Sequence, residues 1–183
     1  MKILIVVDMQ EDFVNGSLGT PEARYIVRNV VSRIKEYNAN EDLVLYTMDT
    51  HGDNYFNTQE GRKLPVEHCI PFTKGYQIVK DIKDAVPILA KHTIPKQSFG
   101  TIKWESILKE NLKEEIEKDG RNLDIEIIGV CTDICVVSNA LILKAIFPEA
   151  EISVDAYCCA GTTPDNHKAA LQVMECCQIN IKE

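Results

Sequence analysis

The chain has 183 residues, enough for one domain with a sizeable core, because a chain of this length buries about 70% of its unfolded surface without disulfides or metals. It is 45% hydrophobic and 26% charged, and its net charge of −8 excludes nucleic-acid backbones and anionic membranes as natural partners. No apolar run approaches the roughly 18 residues of a membrane helix, and seven cysteines, an odd count that includes the adjacent pairs Cys158-Cys159 and Cys176-Cys177, fit a reducing cytoplasm better than a disulfide framework.

Lys2–Val7 reads as a buried first strand, too short for a signal peptide and closed by an acid, Asp8. Pro21–Asn38 carries apolar residues at helical spacing: Ala23, Ile26, Val27, Val30, Val31 and Ile34. Asp42–Thr47 is a second strand. An irregular stretch then runs from Asp49 to about Lys80. Segments of that length in a compact domain are functional or disordered, and the acids, histidines and aromatics here favour function. Trp104–Lys118 repeats the helical pattern through Ile107, Leu108, Leu112 and Ile116. Leu123–Gly129 is a strand, Asp133–Phe147 a helix and Glu151–Asp155 a strand. Pro164–Cys177 is a helix announced by a Thr163 cap and a proline at its first position. Gln178–Ile181 is a last short strand. Strands buried on both faces, alternating with helices, pair in parallel through right-handed crossovers. The expected fold is a three-layer α/β/α sandwich with a mostly parallel, Rossmann-like central sheet, one domain over residues 1–183. Ligands in such folds bind beyond the carboxyl ends of the strands.

Cys135 lies in Gly129-Val-Cys-Thr-Asp-Ile-Cys135-Val, where a strand has ended and a helix begins. A helix N-terminus favours the thiolate, which is the nucleophilic form. Asp8 closes the first strand and reaches the same edge of the sheet. An acid there could take a thiol's proton and pass it to a leaving amine, or simply cap a turn. A lysine near the thiol would stabilise the thiolate, but spacing alone does not separate Lys96 from Lys91. Asp49-Thr-His51, with Glu60 and His68 further along the same loop, offers carboxylate and imidazole ligands of the kind that suit Zn, Fe or Mn. Phe13, Phe99 and Trp104 could line a pocket for a flat ring, or pack in the core. Cys69 reads as a small buried hydrophobe, the four cysteines near the C-terminus read as packing residues, and His167 receives no role.

Three segments resemble a known family when taken in order: Val6-Val-Asp8-Met-Gln-Glu-Asp-Phe13, Lys96-Gln-Ser-Phe99 and Gly129-Val-Cys-Thr-Asp-Ile-Cys135-Val. Together they look like the isochorismatase-like cysteine hydrolases, the family that includes nicotinamidase. The resemblance implies a triad of Asp8, Lys96 and Cys135, which lifts Lys96 above Lys91. Asp8 would be general base and acid, Lys96 would favour the thiolate, and Cys135 would attack a carbonyl to give a thioester. It also implies a cis peptide between Val130 and Cys131 and an oxyanion hole built from the N–H groups of Cys131 and Cys135. A divalent metal on Asp49, His51, Glu60 and His68, zinc or else iron or manganese, would hold a pyridine nitrogen. The expected activity is hydrolysis of a small-molecule amide, nicotinamide to nicotinate and ammonia, by a chain that could form a homo-oligomer. Other readings stay open: a metal-independent hydrolase of another small amide or carbamoyl compound, an isochorismatase-type hydrolase, or a binding protein without turnover. The chain departs from the family's usual pattern before His68, where it reads Leu-Pro-Val-Glu.

Overall fold

Alternate residues of the first strand, β1 (Lys2–Val7), enter different cores: Leu4 and Val6 on one face, Ile3, Ile5 and Val7 on the other. That alternation explains the unbroken apolar run, since a strand covered on both sides has no face for polar residues. The computed structural model describes residues 2–112 and 116–183. Its sheet has six strands, all parallel, in the order β3-β2-β1-β4-β5-β6, with β2 at Leu43–Asp49, β3 at Thr93–Lys96, β4 at Asp124–Val130, β5 at Glu151–Ala160 and β6 at Asn180–Lys182.

Helices α1 (Glu11–Val14), α2 (Pro21–Ala39), α3 (Gln59–Lys63) and α4 (Lys80–Ala85) precede β3, while α5 (Trp104–Asn111), α6 (Val137–Ile146) and α7 (Pro164–Cys176) follow it. α2 and α4 supply Ile26, Val30, Ile34 and Ile82 to one core. α5, α6 and α7 supply Leu108, Ala140, Leu143 and Met174 to the other. Threonine hydroxyls cap the two long proline-led helices: Thr20 accepts from the Ala23 N–H at 3.0 Å and Thr163 from the Asn166 N–H at 3.1 Å.

The chain runs outward from β1 through β2 to β3, then returns to place β4 on the other side of β1. The crevice of such a fold lies at the carboxyl ends of strands where the order reverses. Gly129 makes the close approach there. It adopts φ +119°, and a Cβ on it would stand 2.1 Å from the Val7 carbonyl oxygen. Among the described residues no helix is long and apolar enough to cross a membrane.

Several expected boundaries move. β3 was not anticipated as a strand. It is four residues at the sheet edge and contains Pro95, a residue tolerated only where one side of the ladder is open. The helix expected over Trp104–Lys118 ends at Asn111, where Leu112 turns to extended backbone (φ −90°, ψ 140°). Residues 113–115 of that expectation lie outside the described residues. β5 runs on to Ala160 through an irregularity in which Ile127 pairs with Val154 but Gly129 with Cys159. Cys158 and Cys159 are buried as expected, but Cys176 and Cys177 are exposed at the end of α7 and pack against nothing central.

Candidate active site and metal cluster

Several candidates for chemistry hang from strand carboxyl ends, while Glu60 lies in α3 and His68 in the loop after it. Asp8 follows β1 with φ 49°, Asp49 ends β2, Lys96 ends β3 in register with Asp49, and Cys131 follows β4. The peptide between Val130 and Cys131 is cis. The chain then makes one π-helical turn, Thr132–Val136, before α6 begins at Val137. Cys135 therefore stands inside a continuous helical stretch, with Cys131 at its N-cap.

The structure brings Asp8, Lys96 and Cys135 together, all buried. Lys96 Nζ is 2.7 Å from Asp8 Oδ2, 3.6 Å from Cys135 Sγ and 3.2 Å from Asp49 Oδ1. Thr47 Oγ1 donates to the other Asp8 oxygen at 2.7 Å. Burial raises the Asp8 carboxyl above its ordinary 3.8, against the pull of the Lys96 charge. Burial would lower Lys96, but Asp8, Cys135 and Asp49 outweigh it and hold the ammonium charged. The Cys135 thiol is pushed well above 9.0, first by burial and then by the negative charge of Asp8, with Lys96 opposing. This is opposite in direction to the depressed thiol expected at a helix start, because desolvation of the buried sulfur is the largest influence on it. An acid and an ammonium thus stand beside one buried thiol, groups of the kind used in acid–base and nucleophilic chemistry.

On the far side of Asp49 lies a second cluster. One ligand atom from each of Asp49, His51, Glu60 and His68 lies within 4.8 Å of the others, so these four could hold a metal ion. His51 Nε2 is 2.9 Å and His68 Nε2 3.4 Å from Asp49 Oδ2, and Glu60 Oε1 stands 3.6 and 3.7 Å from the same two nitrogens. The donor set fits a cation on its own evidence. His68 Nδ1 donates to the Val66 carbonyl at 2.8 Å, which places a proton on Nδ1 and turns Nε2 toward the cluster. Tyr55 braces both imidazoles edge-on, with ring centroids 4.8 and 5.2 Å away.

Cys135 and the second cluster, Asp49, His51, Glu60 and His68, line one cavity of about 790 Å³, walled by Phe13, Leu18, Phe99 and Ile134. Phe13 and Phe99 line it as expected, and Trp104 does not. Trp104 is wholly buried in the core beneath α5 and α6, and its indole N–H donates to Asn139 Oδ1 at 3.0 Å. An indole in an apolar layer needs an acceptor, and this one is on the core side.

Sequence reasoning missed the residues that hold the site in place. Gln10 binds the backbone of Asp49, and Asp12 Oδ2 accepts from the N–H of Cys69 at 2.8 Å, just after ligand His68. Their signal was the alternation Asp8-x-Gln10-x-Asp12 immediately past a strand. His167 Nδ1 meets Thr132 Oγ1 at 2.8 Å, and Asp133 accepts from the Thr162 N–H at 2.8 Å, so α7 and the loop before it fasten the turn that carries Cys135.

A doubly wound parallel sheet carrying a buried acid, ammonium and thiol at its carboxyl edge defines a hydrolase-type site able to work through a covalent sulfur adduct. The chain belongs to the isochorismatase family: the family model described as the isochorismatase domain matches residues 2–181. The nicotinamidase of Saccharomyces cerevisiae is 27% identical over 178 residues, covering 77% of this chain and 80% of that protein. The crystal structure of nicotinamidase PncA from Bacillus subtilis superposes with a TM-score of 0.81 at 25% identity, covering 100% of this chain and 99% of that one. The pyrazinamidase of Pyrococcus horikoshii, solved in complex with zinc, has the same fold, with a TM-score of 0.77 at 24% identity over 100% of this chain and 98% of that one.

Proposed function

We propose that this protein hydrolyses nicotinamide to nicotinate and ammonia through a thioester on Cys135. The observation that carries the reading is the position of Lys96 Nζ, 2.7 Å from Asp8 and 3.6 Å from Cys135, whose thiol lines the cavity that also holds the four-residue cluster. In this mechanism Asp8 takes the Cys135 proton as Sγ attacks the carboxamide carbon. The N–H groups of Cys131 and Cys135 bind the oxygen as its charge develops, each such donor being worth about 2.7–4 kcal/mol of barrier. Asp8 then returns the proton to the leaving nitrogen, the C–N bond breaks, and ammonia departs. A water gives a proton to Asp8 and attacks the thioester, the C–S bond breaks as Asp8 passes that proton to Cys135, and the acid released ionises to nicotinate in solvent. Lys96 stays charged throughout and offsets the negative charge on sulfur and oxygen.

Asp49, His51, Glu60 and His68 would hold a divalent ion, and their mixed imidazole and carboxylate set suits zinc, iron or manganese. When bound, such an ion supplies a Lewis-acid anchor for the ring nitrogen. Phe13 and Phe99 would flank the ring. The cluster counts against a metal-independent amidase, which has no use for it, and an isochorismatase-type reaction has no use for the thiol. Seven free cysteines fit a reducing compartment, and we place the protein in the cytoplasm on that ground.

The test is ammonia release from nicotinamide by metal-loaded protein, with nicotinate identified chromatographically. Stoichiometric ammonia and nicotinate support the reading. No release from nicotinamide at any metal loading, alongside turnover of another carboxamide or carbamoyl compound, overturns it.

A further inference from the structure

Asn139 is wholly buried and uses its entire hydrogen-bonding capacity. Its Oδ1 accepts from the Thr101 N–H at 3.2 Å and from the Trp104 indole N–H at 3.0 Å. Its Nδ2 donates to the Cys135 carbonyl at 2.8 Å and to the Phe99 carbonyl at 3.2 Å. The amide can face only one way, because two partners are donors alone and two are acceptors alone. One side chain thus joins the turn that carries the nucleophile to the loop that carries the aromatic wall of the cavity. We propose that Asn139 is a positioning residue that sets Phe99 and Cys135 relative to one another, so that a ring held against Phe99 presents its carbonyl to the sulfur.

The loop explains why such a tie is needed. Lys96 ends an edge strand, and Gln97–Gly100 leaves the sheet with Phe99 47% exposed. A ring that exposed is not fixed by packing. Ser98 bonds only locally, its hydroxyl donating to the Gly100 carbonyl at 2.8 Å. Asn139 lies four residues after Cys135 on the same helical face, so its amide reaches back to the Cys135 carbonyl and across to the loop. A role confined to core stability would not require two of its four bonds to end on the nucleophile and the wall.

Asn139→Asp separates the two halves of the amide. It keeps both acceptor bonds, to Thr101 and Trp104, and turns lone pairs toward the Phe99 and Cys135 carbonyls. Trp104→Phe is the control: it removes one core bond and leaves both donor bonds, so it lowers thermal stability without changing KM. The KM arm rests on the nicotinamide reading, and the alkylation arm does not. In the KM arm, Asn139→Asp raises KM about tenfold, and adds less than about twofold when Phe99 is already alanine, a non-additivity that a general loss of stability does not produce. In the second arm, iodoacetamide is followed peptide by peptide on the metal-free protein. Cys135 alkylation slows at least about fivefold in Asn139→Asp, while Cys176 and Cys177 react as in the unaltered chain and Trp104→Phe leaves Cys135 unchanged. Equal Cys135 rates in Asn139→Asp and the unaltered chain, or additive KM effects in the cycle, overturn the proposal. Nicotinamide that is neither hydrolysed nor able to protect Cys135 sinks the substrate reading alone, and the alkylation rates then decide for Asn139.

Discussion

Gln10 grips Asp49 by its backbone at both ends: its Oε1 accepts the Asp49 N–H at 2.7 Å, and its Nε2 donates to the Asp49 carbonyl at 2.9 Å. The same amide nitrogen donates to the Tyr76 carbonyl at 3.0 Å. Asp49 in turn touches Lys96 with one oxygen and both imidazoles with the other. A neutral, buried side chain therefore sets the residue that joins the triad to the ligand cluster.

Replacing Gln10 with leucine keeps the volume and orphans three backbone groups, two of them buried on Asp49. The expected cost is about 1–3 kcal/mol of stability for each group that finds no new partner. Metal affinity should fall roughly 10–100-fold, the usual loss when a ligand's support is removed. Thermal melting and metal content per chain after dialysis check both. A variant that melts as before and keeps a full complement of metal would show that Asp49 is fixed by other means.

Aromatic residues divide by burial. Trp104 is completely enclosed, so Trp104→Ala should cost about 3–5 kcal/mol of stability. Phe99 is about half exposed on the cavity wall, so Phe99→Ala should leave the melting temperature within a few degrees and raise KM instead. Chemical denaturation and steady-state kinetics separate the two effects. The reverse assignment would return Trp104 to the pocket.

What the sequence exposed, and what it hid, follows from how each residue earns its place. β1, β2, β4 and β5 were legible because burial on both faces leaves an apolar run that nothing else in the chain mimics. β3 was hidden by its edge position, which permits Pro95 and needs only four residues. Asp8, Cys135, Asp49 and His51 were legible because strand ends are where side chains leave the sheet. The selection of Lys96 over Lys91 came only from resemblance, because a lysine has no positional signature until its partners are known. Gln10 and Asn139 were hidden for a related reason: an uncharged amide that satisfies backbone groups leaves no periodicity and no charge pattern. The sequence shows the thiol at a helix start, which favours ionisation, but not the burial that opposes it, since desolvation depends on what closes over the sulfur.

Asp8 makes the acid side of the pH profile informative. Its carboxyl titrates above 3.8 in the folded chain because burial disfavours the charge. A group whose folded value is raised contributes stability that is complete below the unfolded value and lost as pH rises through the folded value. Protonating Asp8 therefore does not itself unfold the protein, but it removes the base. Activity should fall on acidification at a pH above 3.8, reversibly, with near-ultraviolet circular dichroism unchanged across that step. Cys135 alkylation in metal-free protein should show the same midpoint, which separates Asp8 from protonation of the histidine ligands. Asp8→Asn should abolish that midpoint. Inactivation that tracks loss of tertiary signal would assign the acid limb to unfolding.

Cys135 carries the largest kinetic expectation. Its sulfur is buried 3.6 Å from the Lys96 ammonium, which itself sits 2.7 Å from Asp8, so removing it takes away the proposed nucleophile while Lys96 and Asp8 keep each other. Cys135→Ala should lower kcat by on the order of 10⁴-fold or more, as loss of a nucleophile does in other covalent hydrolases. Folding should survive, because Lys96 stays paired with Asp8 and Asp49 and the change deletes a single sulfur atom. Rapid acid quenching of the unaltered enzyme during turnover should reveal a chain heavier by one acyl group, and peptide mapping should place that group on Cys135. The alanine variant should show no such mass, yet still bind the amide, since the cavity walls and the ligand cluster are untouched. Residual turnover within about tenfold of the unaltered enzyme would mean that water attacks the amide directly, with Asp8 as its base and no thioester on the path.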